Sequence, residues 1–299
     1  MGNMYFHYGC TMAGITLELE LPFPVRVMPE AEEFFFPCGE GSIKNPDFRI
    51  SFVRRARLHK MPDEGVWEGY QYFTRLGENR TVFHAGSRTD RPYAEVTWLN
   101  GGEIQCSLAV GCLEGDVNSR QILNLLGLEA LLLEGRGLLL HAAFIRWKQK
   151  GVLFSAPSGT GKSTQAGLWT VYEGAEIIND DRAGLRLWDG KWQAWGVPYA
   201  GSSAVSRNET VPVEAIIVVR RGQVNSIRLL SAPEAVRFLY PELSIHHWDR
   251  DFTEKSMDIL VGLAEDVPVY LMECLPDRSA VQMLRDTILQ RSVKSDEKS

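Results

Sequence analysis

The residues best suited to chemistry form a glycine-rich loop, Ala156-Pro157-Ser158-Gly159-Thr160-Gly161-Lys162-Ser163-Thr164. Its G-x-G-K-S-T half is typical of loops that hold the phosphates of a nucleoside triphosphate. Gly159 and Gly161 let the backbone bend tightly, so that successive N–H groups point at phosphate oxygens. In such a loop Lys162 lies on the β- and γ-phosphates and the Ser163 hydroxyl ligates Mg²⁺. The loop from Ser158 to Thr164 therefore predicts a site for ATP and Mg²⁺.

The surroundings of the glycine-rich loop favour this interpretation. An apolar run at 151–155 predicts a strand before it, and residues 164–171 predict a helix after it, which is the order that phosphate binding requires. Ala156 replaces the usual first glycine, and alanine can serve there if its φ is negative. The alternative, a glycine-rich turn with an accidental lysine, does not explain this context.

Two adjacent carboxylates follow the loop at a short distance. Asp180 lies 18 residues beyond Lys162, after a strand predicted at 175–179. We expect one crossover helix and a return strand beside the first, so that both strands end at the same edge, where ligands bind. One carboxylate of Asp180-Asp181 can hold Mg²⁺ and the other can accept a proton from an attacking hydroxyl. The alternative is a solvated turn or a helix cap.

His141 is a third candidate. Residues 138–147 and 151–156 predict an antiparallel hairpin with a loop at Lys148-Gln149-Lys150, and the implied register places His141 opposite Ser158. A histidine at that point can ligate metal, orient the nucleophile or stabilise transferred charge. The competing interpretation is a purely structural histidine.

The elements that must position these residues change in character along the chain. Residues 1–117 are β-rich, with strands predicted at 15–21, 48–53, 67–76, 81–84, 93–99 and 103–110 and a hairpin turn at Asn100-Gly101-Gly102. Residues 118–136 predict one connecting helix, capped by Asn118 or Ser119. From 137 to 292 strands alternate with helices, which predicts an α/β catalytic domain. Residues 293–299 are polar and predict a flexible tail.

Composition excludes several function classes. The net charge is −6, with 32 basic and 38 acidic residues, so no overall basic field attracts nucleic acid or a membrane. The five scattered cysteines indicate neither a disulfide framework nor a zinc knuckle. Apolar runs are short and no secretory signal is visible, so we expect a soluble, cytoplasmic protein. Whether it is a monomer or a homo-oligomer stays open.

This set of residues resembles the catalytic domain of the bacterial HPr kinase/phosphorylase family, whose fold is related to phosphoenolpyruvate carboxykinase. The resemblance spans roughly residues 137–290 and rests on Leu140-His141, Ser158 to Thr164, and Asn179-Asp180-Asp181-Arg182. It implies a P-loop kinase domain in which Asp180 is the catalytic base and Asp181 helps to bind metal. It also implies that Lys162 and Ser163 act as above and that His141 lies in the same active site.

The chain departs from that family in two places. Its β-rich N-terminal region does not resemble the domain that precedes the catalytic part of true HPr kinases, and the family's second glycine-rich signature is missing. Residues 196–203 (Gly-Val-Pro-Tyr-Ala-Gly-Ser-Ser) stand there instead and suit either a mobile lid or an ordinary connection. In this respect the chain looks more like divergent HPr-kinase-like proteins found beside peptide-modification genes, some of which phosphorylate a serine in a precursor peptide.

The sequence thus predicts an ATP- and Mg²⁺-dependent kinase whose acceptor is a hydroxyl, such as a serine of a protein or peptide or a small molecule. A second hypothesis is an NTP-dependent switch or ATPase whose β-rich region binds a partner. A decarboxylating enzyme like phosphoenolpyruvate carboxykinase is disfavoured, because basic substrate-binding residues are not evident. His246-His247 is interpreted as a packed helix end and Arg220-Arg221 as a solvated turn, although either arginine could meet phosphate.

Overall fold

A computed structural model describes residues 4–87, 91–113, 116–201 and 203–296, without the side chains of 292–296. The chain divides into two compact units, Met1–Ala130 and Leu131–Ser299. Helices and large sheets occur together, so the protein is a mixed α/β protein. No helix among the described residues is both long enough and apolar enough to cross a membrane. The five cysteines are free thiols.

The described part of the first unit is built on a nine-stranded sheet. Its strands are β1 (Phe6–Met12), β2 (Ile15–Leu21), β3 (Phe35–Pro37), β4 (Phe48–Arg55), β5 (Val66–Glu68), β6 (Gln71–Leu76), β7 (Asn79–His84), β8 (Ala94–Trp98) and β9 (Glu103–Ala109). They lie in the order β3-β1-β2-β4-β9-β8-β7-β6-β5. The pairs β2–β4 and β4–β9 are parallel and the other neighbours are antiparallel.

Most of these strands are where the period-two pattern predicts them. In β2 the alternating Ile15, Leu17, Leu19 and Leu21 are buried, as a strand with one buried face requires. The predicted turn at 100–102 is a 3₁₀ turn that joins the antiparallel strands β8 and β9. The strand predicted at 67–76 is two antiparallel strands, β5 and β6, with a turn at Gly69, whose φ is 59°. The pattern also missed β3 and β1, and β1 contains Gly9, a residue that is depleted in strands. Here glycine is needed, because a Cβ at Gly9 would collide with the Phe36 ring.

The connecting helix is two helices rather than one. They are α1 (Ser119–Leu126) and α2 (Leu128–Glu134), separated by Gly127 with a φ of 73°. Glycine adopts a positive φ of this kind without strain, and a residue with such a φ ends a helix. Asn118 is the cap of α1, since its side chain accepts a hydrogen bond from the Gln121 amide in a capping box. The division between the two units, after Ala130, falls inside the segment 118–136.

His84 of the first unit gives the protein a pH-dependent stability. It is 5% exposed, and burial lowers its pKa from 6.5 to about 4, against smaller opposing effects of a hydrogen bond to the Leu125 backbone and of the Glu129 charge. Between these values the unfolded chain binds the proton and the folded chain does not, so the free energy of unfolding falls as the pH is lowered. The full shift corresponds to about 3 kcal/mol.

We expect His84→Gln to remove this part of the pH dependence. Urea unfolding of wild type and variant between pH 7 and 4 measures it: wild type loses more stability than the variant, by about 2 to 3 kcal/mol. His247→Gln, at an exposed histidine, serves as the control and should follow wild type. Parallel curves for wild type and His84→Gln would show that His84 takes up its proton in the folded state.

The second unit combines a mostly buried set of strands with helices. The strands are β10 (Gly137–Trp147), β11 (Lys150–Ser155), β12 (Glu176–Asn179), β13 (Arg182–Trp188), β14 (Lys191–Trp195), β15 (Thr210–Arg221), β16 (Ser226–Leu229) and β17 (Val269–Cys274). The helices are α3 (Lys162–Glu173), α4 (Ala232–Leu239), α5 (Arg250–Asp266) and α6 (Arg278–Asp296). Residues 293–296, assigned to a tail from composition, continue α6, and 297–299 lie outside the described residues.

Two long strands connect the parts of this sheet. The first half of β10 pairs with β13 and its second half pairs with β11 and β12. Strand β15 pairs first with β14 and then, in parallel, with β11 and β17. Helices α3 and α6 contribute Trp169 and Leu284 to a core that also contains Phe154 and Ile217, and the Trp169 ring meets Trp147 edge-on at 5.2 Å. This packing holds α3 against strands β10 and β11.

Two details of the predicted topology are wrong. The β10–β11 hairpin turns on two residues, Lys148 and Gln149, with φ of 48° and 62°, and Lys150 already belongs to β11. The register runs to Ala142 opposite Ser155, which differs from the predicted pairing of His141 with Ser158. The return strand β12 pairs with β10 instead of β11. Both β11 and β12 nevertheless run antiparallel to β10, so they point the same way and end at the same edge.

Candidate functional site

The glycine-rich loop joins the end of β11 to the start of α3. Gly159 and Gly161 have φ of 75° and 125°, which L-residues with a side chain rarely adopt, and a Cβ at either position would meet open space. Backbone conformation therefore demands glycine at both positions, rather than packing. Ala156 is buried and is not among the residues with positive φ, which explains how alanine replaces glycine there.

The first turn of α3 faces the same loop. Gly161 is the residue that precedes the helix, and no side chain caps its amides. Uncapped N-terminal amides and the positive end of the helix dipole attract an anion. Lys162 is 7% exposed, and its Nζ donates to the Ala156 carbonyl at 2.6 Å. Burial lowers the pKa of Lys162, while the negative charges of Glu242 and Asp181 oppose that shift.

A cleft of about 670 Å³ brings the sequence-predicted residues together. It is lined by the whole stretch from Ser158 to Thr164 and by His141, Asp180 and Asp181. The rest of the lining comes from residues that the sequence did not single out as one site: Gln165, Gly201, Val219, Arg220, Arg221, Gly222, Cys274 and Pro276. The glycine-rich loop and two carboxylates therefore share one cleft.

Asn179 shapes the turn that carries the two carboxylates. It is fully buried, and its Oδ1 accepts hydrogen bonds from the amides of Asp181 and Arg182 at 3.0 and 2.9 Å. Its Nδ2 donates to the carbonyls of Val197 and Tyr199 at 2.9 and 2.7 Å. A buried side-chain amide with its donors and acceptor satisfied is rigid. Asn179 thus positions the carboxylates at the end of β12 and holds the segment after β14 beside them.

Asp180 lies under that segment. It is 4% exposed, and its two carboxylate oxygens accept hydrogen bonds from the amides of Gly201 and Ser203 at 2.7 and 2.6 Å. Gly201 and Ser203, of the segment predicted as either a lid or an ordinary connection, therefore lie directly against Asp180, and these contacts fit either interpretation. Ser202, within this segment, lies outside the described residues.

His141 and Asp181 are neighbours because β10 and β13 pair there. His141 lies opposite Arg182, and the Ala142 amide donates to the Asp181 carbonyl at 3.0 Å. The His141 Nε2 is consequently 3.7 Å from the Asp181 Oδ1. On its other side, the His141 Nδ1 is 2.9 Å from the Glu242 Oε2. The imidazole thus lies between two carboxylates beside the glycine-rich loop.

Sequence reasoning missed two residues of this arrangement. Glu242 follows helix α4 in a 3₁₀ turn and has no motif that marks it. Arg221, interpreted as part of a solvated turn although it could also meet phosphate, ends β15 and donates to the Gly159 carbonyl at 2.6 Å. The position of Arg221 could have been found, since the end of a parallel strand next to β11 must reach the same edge.

The His246-His247 pair behaves as the structural interpretation predicts. The ring of His246 stacks on Phe252 with centroids 4.5 Å apart, and Asp249 caps α5 by accepting from the amides of Asp251 and Phe252. Across the described residues, no group of three or more histidine, cysteine, aspartate or glutamate side chains is arranged to hold a metal ion by itself. A metal at the cleft would need further ligands from a bound molecule.

Comparison with known proteins adds little to this geometry. No protein-family model matches the sequence, and no curated protein matches it. Among solved structures, the chain is similar to the HPr(Ser) kinase/phosphatase from Coxiella burnetii, with a TM-score of 0.31 and 16% identity over 54% of this chain and 93% of that one. A TM-score this low does not establish a common fold, so function has to be argued from the cleft.

Proposed function

We propose that the protein is an ATP- and Mg²⁺-dependent kinase of the HPr-kinase-like type, which transfers the γ-phosphate to an acceptor hydroxyl such as a serine. One observation carries the proposal: the buried carboxylate of Asp180 and the buried ammonium of Lys162 line the same cleft as the glycine-rich loop. A site that only binds nucleotide needs the loop and the lysine. A buried carboxylate beside them supplies the base that an acceptor hydroxyl requires.

In this reaction the chain's own groups divide the work. The loop amides, the first turn of α3 and Lys162 bind the β- and γ-phosphates and balance the charge that develops on them. The acceptor oxygen attacks the γ-phosphorus, its proton passes to Asp180, and the bond to the β-phosphate oxygen breaks to release ADP. Phosphoryl transfer depends on positioning and on charge stabilisation more than on covalent catalysis, and these residues supply the groups that both require.

The residues present fit a magnesium ion. Asp181 is one-third exposed at the cleft, and its nearest contacts with basic side chains are long, 3.7 Å to His141 and 3.4 Å to Arg182. The Ser163 hydroxyl lines the same cleft. Carboxylate and hydroxyl oxygens together with phosphate oxygens and water make the donor set that Mg²⁺ prefers. Asp181 and Ser163 would hold the ion, which when bound supplies positive charge to the phosphates.

An NTP-dependent switch is the competing function. In a switch, the nucleotide controls a partner that binds elsewhere, and no acceptor is phosphorylated. Asp180 favours the kinase over the switch, because transfer to a hydroxyl requires a carboxylate base beside the phosphates, whereas a switch requires only the loop, the lysine and a metal ion.

Incubation with γ-labelled ATP and Mg²⁺ tests the proposal. Candidate acceptors are free serine, serine peptides and proteins encoded beside this one, and label is followed by mass spectrometry. Transfer to a hydroxyl, with ADP formed in equal amount, is the expected result. ATP hydrolysis that no acceptor stimulates would favour the switch, and failure to bind ATP in calorimetry would contradict both.

A further inference from the structure

Glu242 is brought to His141 by the fold, from 101 residues away in the chain. The Glu242 side chain is 11% exposed and that of His141 is 30% exposed. The Glu242 Oε2 lies 2.9 Å from the His141 Nδ1, a normal hydrogen-bond distance. The partner of this histidine is therefore a nearly buried carboxylate, held in place by an element that the motifs do not include.

The segment that carries Glu242 is attached to the site strands at several points. The Ser244 amide donates to the Leu139 carbonyl at 3.0 Å, and Leu243 forms a bridge with Leu140, directly before His141. The Ser244 hydroxyl accepts from Arg182, the residue after Asp181, at 3.2 Å. These contacts on both neighbouring strands locate Glu242 with respect to His141.

This arrangement determines which ring nitrogen faces the cleft. Both neighbours of the ring are carboxylates, which when ionised can only accept hydrogen bonds, but only Glu242, at 2.9 Å, is within hydrogen-bond distance; the proton of the neutral ring therefore lies on Nδ1. The Nε2 is then directed to Asp181, 3.7 Å away, and to the cleft. A ring held by such a carboxylate keeps one tautomer and one orientation.

We propose that Glu242 is a positioning residue of the active site: it fixes His141 with Nδ1 protonated and Nε2 directed at Asp181 and the phosphates. The effect on catalysis rests on the proposed kinase function, whereas the effect on the ring does not. Glu242 also lies close enough to Lys162 for its negative charge to stabilise the ammonium. One carboxylate outside the motifs thus supports two of the groups that meet the nucleotide.

The tautomer can be read without any activity. In ¹⁵N-labelled protein with six histidines, the His141 signals are assigned with His141→Gln and recorded where the imidazole is neutral. The Nδ1–H form is expected in wild type and in Glu242→Gln, since the glutamine Oε1 still accepts. Glu242→Ala should shift the ring toward the Nε2–H form. An Nε2–H form in wild type, or an unchanged Nδ1–H form in Glu242→Ala, would overturn the proposal.

Kinetics give the second measurement. We expect Glu242→Ala to lower kcat by about 10- to 100-fold, with a smaller change in KM for ATP, and Glu242→Gln to recover most of it. Glu254→Gln, at an exposed partner of Arg250, is the matched control and should equal wild type. If Glu242→Ala does not fold, as judged by circular dichroism, an Nε2–H form in wild type or in Glu242→Gln would still overturn the proposal. A correct tautomer pattern without phosphoryl transfer to any acceptor would contradict the kinase function alone.

Discussion

Asp180→Asn is expected to lower phosphoryl transfer by about 10²- to 10⁴-fold, the usual contribution of a general base. The amide cannot take the proton of the attacking hydroxyl. The dissociation constant for ATP should change by only a few-fold, because the glycine-rich loop and Lys162 are untouched. Transfer is measured with γ-labelled ATP and binding is measured by calorimetry. Equal labelling by Asp180→Asn and wild type would remove Asp180 from the role of base.

The substitution also acts on the segment that covers Asp180. Both carboxylate oxygens accept amides, from Gly201 and Ser203, but an asparagine presents one oxygen and one NH₂ group. One of the two backbone N–H groups must then face the asparagine NH₂ group instead of an acceptor, at a cost of about 1 to 3 kcal/mol. Ser206→Ala is the control. It removes the hydrogen bond from the Ser206 hydroxyl to the carbonyl of Val197, which belongs to the segment at 196–203, and leaves Asp180 intact. If loosening of the segment explained the loss, Ser206→Ala would share it.

Lys162→Ala is expected to reduce both ATP binding and turnover, with kcat/KM falling on the order of 10³-fold. A buried ammonium at the phosphates acts in a medium of low dielectric constant, where its charge is worth more than in water. Lys162→Ala therefore differs from Asp180→Asn, because it also weakens the binding of ATP in the ground state. Calorimetry with ATP, followed by steady-state kinetics, separates the two effects.

A second lysine provides the comparison for this variant. Lys191→Ala, at an exposed position of β14 that does not line the cleft, removes the same charge and should leave both constants unchanged. Lys162 donates to the Ala156 and Pro157 carbonyls, so thermal melts must show that the alanine variant is folded. Full ATP affinity in a folded Lys162→Ala protein would contradict the assignment of this cleft to nucleotide.

The sequence predicted well what depends on neighbouring residues. Strand β2 and the glycine-rich loop could be predicted because the alternation of apolar and polar residues, the positive φ of glycine and the order of strand, loop and helix are local properties. The register of the β10–β11 hairpin was missed for a similarly local reason. The turn uses two residues with positive φ, Lys148 and Gln149, neither of which is a residue that signals such a turn.

The strand neighbours of β12 could not be predicted in the same way. A crossover helix suggests that the return strand lies beside the first, but the space next to β11 is taken by β10 on one side and β15 on the other. Strand β12 pairs with β10 instead. The edge of the sheet where Asp180 emerges was still predicted, because that edge depends on strand direction and not on which strands are adjacent.

By itself, the sequence determined which chemical groups the cleft contains: a glycine-rich loop with Lys162, and a carboxylate pair one helix later. These features follow from local backbone conformation and short spacing. Only the tertiary structure decided that Asp180 lies beneath the amides of Gly201 and Ser203, and that Glu242 holds His141. Those contacts join residues from 21 to 101 positions apart, and nothing in a local pattern specifies which distant segments the packing of the sheet will bring together.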